Sequence, residues 1–364
     1  MPPFLKPLSS ALLAFAVLAA LFPAIASAQT PARFEPPAGK RLFIVGQDLA
    51  SIGGFKKPHN DGYTDHITPV PGGLTTYASL PFLAGLKNKT GGWAGDLWAQ
   101  GIIDNPIYKD SVLAIGLHMV DMEQAIADGT VDKPIEFLAN WVKATKRPVF
   151  LRIGYEFDGS WNHYKPEPYR LAFQRIVTIF RRLEVKNCAF VWQSATSPVN
   201  GYNSKDINAW YPGDEFVDWF GYSWFLSGPK QVELTQRFID LAKAHGKPVM
   251  VCESAPQGYD LVRLTRGAIH KGKDRVAKTP EQIWKEWYAP FFAFLETNQD
   301  TVKAVAYINC NWDIQPMWGP PYNQGYWGDT RVEVNPEIKT RWLKTITEES
   351  WLHASPTLFK TLGY

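Results

Sequence analysis

Residues 149–156 read Val149-Phe150-Leu151-Arg152-Ile153-Gly154-Tyr155-Glu156, an apolar run that ends in a glutamate. Such a run, without in/out alternation, predicts a parallel strand covered on both faces. Val249-Met250-Val251-Cys252-Glu253-Ser254 repeats the pattern, and its glutamate lies 97 residues further on. Working outward, six more segments of this kind appear at Leu42–Gly46, Gly73–Ser79, Val112–His118, Ala189–Gln193, Val217–Ser223 and Ala304–Ile308. With Val149–Tyr155 and Val249–Cys252 they make eight predicted strands.

Amphipathic helices are predicted between them. Pro168 opens one whose apolar stripe is Tyr169, Phe173, Ile176, Val177 and Phe180, at helical spacing. Leu234, Phe238 and Leu241 mark another, closed by Gly246. Thr279-Pro280-Glu281-Gln282 is a capping box that starts a third, running through Trp284 and Trp287. Eight strands alternating with helices predict a single-domain (β/α)8 TIM barrel over residues 41–364. A doubly wound open sheet is the rival, but no GxGxxG follows the first strand. The long stretches Gln47–Pro71, Pro256–Lys278 and Asn309–Pro336 all follow strands. They belong on the C-terminal rim, where such barrels keep their active sites.

The first 28 residues have the form of a signal peptide. Lys6 supplies the positive region, Ala11 to Leu21 the apolar region, and Ala26-Ser27-Ala28 the cleavage site. The alternative, a retained anchor, is disfavoured because a span needs about 20 apolar residues. Secretion or periplasmic location is expected, with no membrane attachment after cleavage. Residues 29–40 form an N-terminal extension, and Pro31 to Pro37 reads as a tether. Lys6 is the one charged residue in the signal, so the formal charge of +3 becomes +2 without it. That balance excludes an electrostatic footprint for nucleic acid. The 15 Trp, 15 Tyr and 21 Phe exceed the needs of a core and suit a groove for an uncharged glycan. Cys188, Cys252 and Cys310 fall in or next to predicted strands and read as buried small hydrophobes. Oligomeric state is not legible.

Two carboxylates at the tips of separate strands are what a retaining glycosidase requires. Glu156 ends the fourth strand and Glu253 the seventh, roughly opposite each other in a closed barrel. Alternation along a strand places Arg152, Gly154 and Glu156 on the inner face, with Gly154 leaving room for the sugar. Arg152 beneath the pair favours an ionised carboxylate. The assignment is Glu253 as nucleophile and Glu156 as acid/base. His118, ending the third strand, is placed against a sugar hydroxyl, against Glu156 to orient it, or in the core. Tyr222 is placed either within reach of Glu253 or in simple packing. Trp312 follows the eighth strand and is a stacking platform beneath a pyranose, with Trp161, Trp224, Trp318 and Trp327 as further subsite residues. No cofactor is expected. Asp48, Asp61 and Asp65 with His59 and His66 match no metal-ligand spacing and read as a solvated rim loop.

Arg152-Ile153-Gly154-Tyr155-Glu156-Phe157-Asp158-Gly159-Ser160-Trp161 resembles the Arg-Pro-x-His-Glu-Met-Asn-Gly segment of glycoside hydrolase family 26, in the clan A barrels. Phe190-Val191-Trp192, Ser197-Pro198 and Trp210-Tyr211-Pro212-Gly213-Asp214 through Val217-Asp218-Trp219-Phe220-Gly221 resemble that family's fifth strand and its approach to the sixth. The resemblance implies a (β/α)8 fold and retaining hydrolysis of a β-linked glycan, with mannan the commonest family substrate. It implies Glu156 as acid/base, Glu253 as nucleophile and Tyr222 as the aromatic touching that nucleophile. Departures from the pattern matter beside the two glutamates. Tyr155 stands for a His, Asp158 for an Asn, and Glu253-Ser254-Ala255 for Glu-Phe-Gly. These changes fall around the −1 sugar and bear on which sugar is taken. A transglycosylase, or a non-catalytic glycan-binding barrel, are the alternatives.

Overall fold

The computed structural model describes residues 31–198, 207–267 and 274–364. The expected signal peptide, residues 1–28, lies outside the described residues. Among the described residues eight parallel strands close on themselves: β1 Arg41–Gly46, β2 Gly73–Ser79, β3 Val112–His118, β4 Val149–Ile153, β5 Cys188–Ser194, β6 Trp219–Trp224, β7 Val249–Ser254 and β8 Val302–Ile308. Closure is made by β1 against β8, with Leu42 opposite Ala304 and Gly46 opposite Ile308. Helices return the chain between strands, among them Asp132–Thr145, Pro166–Arg182, Pro229–Ala244 and Pro336–Ile346. The predicted stripe Tyr169, Phe173, Ile176, Val177 and Phe180 is buried on the helix Pro166–Arg182. The Thr279 capping box is present: its hydroxyl accepts from Gln282 N (3.1 Å), and Gln282 Oε1 accepts from Thr279 N (2.8 Å). No helix among the described residues is long and apolar enough to cross a membrane.

Two apolar layers result from strand alternation. Residues facing outward, such as Leu151, Ile153, Trp192, Phe220 and Val251, pack against the helices. Residues facing inward, such as Ile44, Ala114, Phe150, Val191, Trp219, Met250 and Ala306, fill the lower barrel. That lower end is sealed by Phe34 and by Leu358 and Leu362 of the C-terminal segment, in the same cluster. Phe34 stands edge-on to Phe150 (5.8 Å) and to Tyr364 (6.0 Å). The lead segment is therefore not the expected tether. An open barrel end exposes apolar side chains, and Phe34 covers them.

Strand β4 ends two residues earlier than expected. Gly154 (φ +52°) and Glu156 (φ +53°) both adopt left-handed backbone, which breaks the predicted alternation. A Cβ on Gly154 would lie 2.5 Å from Met119 Cε and 2.8 Å from the Tyr169 ring. Gly154 thus faces the helix layer and leaves no room for a sugar; only glycine meets both demands there. The three cysteines are buried and unbridged.

Candidate active site

Above the apolar floor the barrel interior turns polar. Thr75, Arg152, Gln193, Ser223 and Glu253 come from β2, β4, β5, β6 and β7 and are all buried. Arg152 is their centre. Its Nη1 donates to Glu253 Oε1 (2.6 Å) and Gln193 Oε1 (3.1 Å), and its Nη2 to Thr75 Oγ1 (3.1 Å). The ring of Tyr77 lies 4.9 Å from the guanidinium carbon and that of Tyr155 5.6 Å, the two rings meeting edge-on to each other (5.2 Å). Tyr77 is fixed by donating to Gln47 Oε1 (2.9 Å).

Glu253 points inward through a bulge. Met250 and Cys252 already face the interior, so strict alternation would turn Glu253 outward. The register between β6 and β7 shifts: Tyr222 pairs with Val251, but Ser223 pairs with Glu253. One extra residue on β7 re-aims the carboxylate toward Arg152. Glu156 reaches the same place from the turn after β4. Asn162 Nδ2 holds that turn by donating to Tyr155 O and Glu156 O, both at 2.9 Å.

The two carboxylates have unlike surroundings. Glu253 carries a buried guanidinium at ion-pair distance, which compensates its charge. Glu156 accepts from Ser223 Oγ (2.6 Å) and Trp161 Nε1 (2.8 Å) and has no cation partner among the described residues. Burial first, and then the negative charge of Glu253, push its pKa up to about 8. It therefore holds a proton at neutral pH while lying in the electrostatic field of a second glutamate. Asp158 accepts from Ser194 Oγ and Ala195 N (both 2.7 Å) and staples the turn to β5.

The other predicted residues divide. Trp161 lies at the site with its indole half exposed. His118 is partly buried on β3 with its ring 6.4 Å from Tyr155; burial pushes its pKa down against the pull of Asp121. The partners that orient Glu156 are Trp161 and Ser223, not His118. Tyr222 and Trp224 face the helix layer, because β6 turns Gly221 and Ser223 inward. Trp224 packs on Phe291 and Phe294, so neither residue joins the site. Trp312 is 2% exposed, donates to Thr330 Oγ1 (2.9 Å) and packs on Trp327. A ring covered on this scale offers no platform. Asp48 caps a helix and accepts from Gln315 Nε2 (2.9 Å). His59 pairs with Asp96 and His66 with Asp61, and no group of three metal ligands forms among the described residues. Gln193, Ser223 and Asn162 join the site without having been expected there. The available signal for Gln193 and Ser223 is a polar residue near the C-terminal end of an apolar strand, whereas Asn162 lies in a loop and carries no such signal.

The family model described as glycosyl hydrolase family 26 matches residues 101–268. A β-1,3-xylanase of a Vibrio sp. is 36% identical over 329 residues, covering 89% of this chain and 68% of that protein. A β-1,3-xylanase of an Alcaligenes sp. is 36% identical over 330 residues, covering 89% and 67%. Among solved structures, a modular endo-β-1,4-mannanase of Cellulomonas fimi superposes with a TM-score of 0.60 at 15% identity, covering 91% and 79% of the two chains. A family 26 β-mannanase of Bacteroides ovatus gives 0.57 at 13% identity, covering 88% and 93%. The mannanase likeness is one of fold. With relatives at 36% identity over most of its length, the chain belongs to glycosyl hydrolase family 26 and is an O-glycoside hydrolase.

Proposed function

We propose that this hydrolase cleaves β-1,3-linked xylan with retention of configuration, Glu253 acting as nucleophile and Glu156 as acid/base. The observation that carries the reading is one buried site holding two glutamates, one paired with Arg152 and the other without a cation among the described residues. Environments that separate two carboxyl groups in this way assign an acid and a nucleophile. Glu253 attacks the anomeric carbon and a covalent glycosyl ester forms. Glu156 gives its proton to the departing glycosidic oxygen, and the old C–O bond breaks. In the second half Glu156 takes a proton from water, whose oxygen displaces Glu253. Arg152 supports the first carboxylate throughout, and Trp161 supports the second.

The xylan substrate is favoured by the two relatives named as β-1,3-xylanases. The departures from the mannanase pattern at Tyr155, Asp158 and Ser254-Ala255 fall beside the two glutamates. Secretion or export to the periplasm fits both a polymeric substrate and the signal-like residues 1–28.

The test is hydrolysis of a panel of β-1,3-xylan, β-1,4-xylan, mannan and β-glucan, with the product anomer followed by NMR. Release of β-configured xylo-oligosaccharides from β-1,3-xylan is expected. Preference for another glycan overturns the substrate, and an α-configured first product overturns the mechanism. Glu253→Ala and Glu156→Gln each lose several orders of magnitude in turnover, on the scale of a missing nucleophile or acid. Azide restores Glu253→Ala by forming an inverted glycosyl azide. Wild-type rates in either variant remove the assignment.

A further inference from the structure

Ser223 and Gln193 connect the two glutamates, and the direction of every bond in the connection is fixed when Glu156 is ionised. Arg152 has only donors, so the Gln193 oxygen must face it (3.1 Å). The Gln193 amide nitrogen is thereby turned to Ser223 Oγ (3.1 Å), with Glu253 Oε1 at 3.4 Å. Its N–H occupies a lone pair of the Ser223 hydroxyl, and that hydroxyl donates to Glu156 Oε1 (2.6 Å). The chain runs Arg152 to Gln193 to Ser223 to Glu156, each member polarising the next.

The barrel builds this staircase from strand register. Arg152 stands beside Val191 on β5, and Gln193 is one pleat higher. Gln193 stands beside Gly221 on β6, Ser223 is one pleat higher, and Ser223 stands beside Glu253. Gly221 carries no side chain to interrupt it; a Cβ there would lie 2.5 Å from Cys252 Sγ.

We infer that Ser223 is a positioning residue for the acid/base, delivering the polarity of Arg152 to Glu156 through Gln193 and favouring the ionised form in which it activates water. This rests on the reading of Glu156 as acid/base. A donor aimed at a carboxylate binds the charged form more strongly than the neutral acid. Removing it makes proton release harder and general-base action poorer. Among the described residues the other ionisable groups around Glu156 are Glu253 and Cys252 from β7, Arg152 and Tyr155 from β4 and its turn, and Asp158 from the same turn. None is altered by a change at Ser223. Trp161 stays on Oε2 and sets the residual support.

The test compares Ser223→Ala, Ser223→Thr and Gln193→Met in the full chain. The readouts are the pH profile of kcat/KM on the polymer and turnover of an activated aryl xyloside, which needs little acid help. In Ser223→Ala the basic limb is expected to move up by about one pH unit, the scale of a lost charge-assisted bond. Turnover of the activated substrate falls about tenfold or more, because glycosyl-enzyme hydrolysis is then limiting. Ser223→Thr keeps the hydroxyl and returns both towards wild type. Gln193→Met breaks the chain one step earlier and moves the limb the same way, which serves if Ser223→Ala fails to fold. A basic limb unmoved in the folded variants, while Glu156→Gln is inactive, overturns the relay alone. Wild-type activity in Glu156→Gln overturns the underlying assignment instead.

Discussion

Glu156 sits in the folded chain as a carboxyl group whose pKa is raised from the usual 4.5 to about 8, chiefly by burial. Between those pH values the folded chain binds a proton that the unfolded chain has released. Stability is therefore present at acid pH and is lost as pH rises through that window. Glu156→Gln removes the dependence. Its Tm relative to wild type is expected to rise between about pH 5 and pH 8 and then level off, by several °C on the scale of a few kcal/mol. Calorimetry across that range checks it; a constant difference refutes it. Arg152→Met tests the partner. It leaves Glu253 buried without its counter-charge, which costs about 3–5 kcal/mol for such pairs, and denaturant unfolding measures the loss. Both glutamates and Arg152 are legible in the sequence because an unbroken apolar run sets any charge it carries inside the barrel or at its mouth. Tyr222 and Trp224 are not, because inward parity on β6 belongs to Gly221 and Ser223. Trp312 escapes the same reading because neighbouring indoles cover it.

The turn after β4 and the bulge in β7 aim the two carboxylates, and neither has a sequence signature strong enough to read. A Gly154 inside an apolar run looks like a small inward residue. In the fold it is where the strand stops. The eight strands themselves are recovered within two residues at both ends, since unbroken apolar runs bounded by turns mark buried strands. Asn162 holds the left-handed turn by donating to two successive carbonyls. Asn162→Asp keeps the shape and replaces those donors with acceptors. It is expected to lower kcat about 100-fold with KM little changed, the scale of a catalytic group misplaced by about 1 Å. Asn162→Ala should be milder. Steady-state kinetics decide, and a variant altered only in KM would show that Asn162 contacts substrate instead.

The barrel as a whole is legible from the alternation of strands and helices; its lower seal is not. Pro-rich leads usually read as linkers, and only the closed barrel gives Phe34 an apolar end to occupy. Trp219 Nε1 adds a bond to Arg33 O (2.8 Å). Phe34→Ala opens a cavity against Phe150 and should cost about 3–5 kcal/mol, as for other buried aromatic truncations, without changing KM; thermal unfolding and kinetics on one preparation check both. Phe34 and Tyr364 meet at this sealed end, while both glutamates open at the other. Coupling the protein to a solid support through its carboxyl terminus therefore leaves the mouth directed away from the surface, free to meet a polysaccharide too large to diffuse between bead and enzyme.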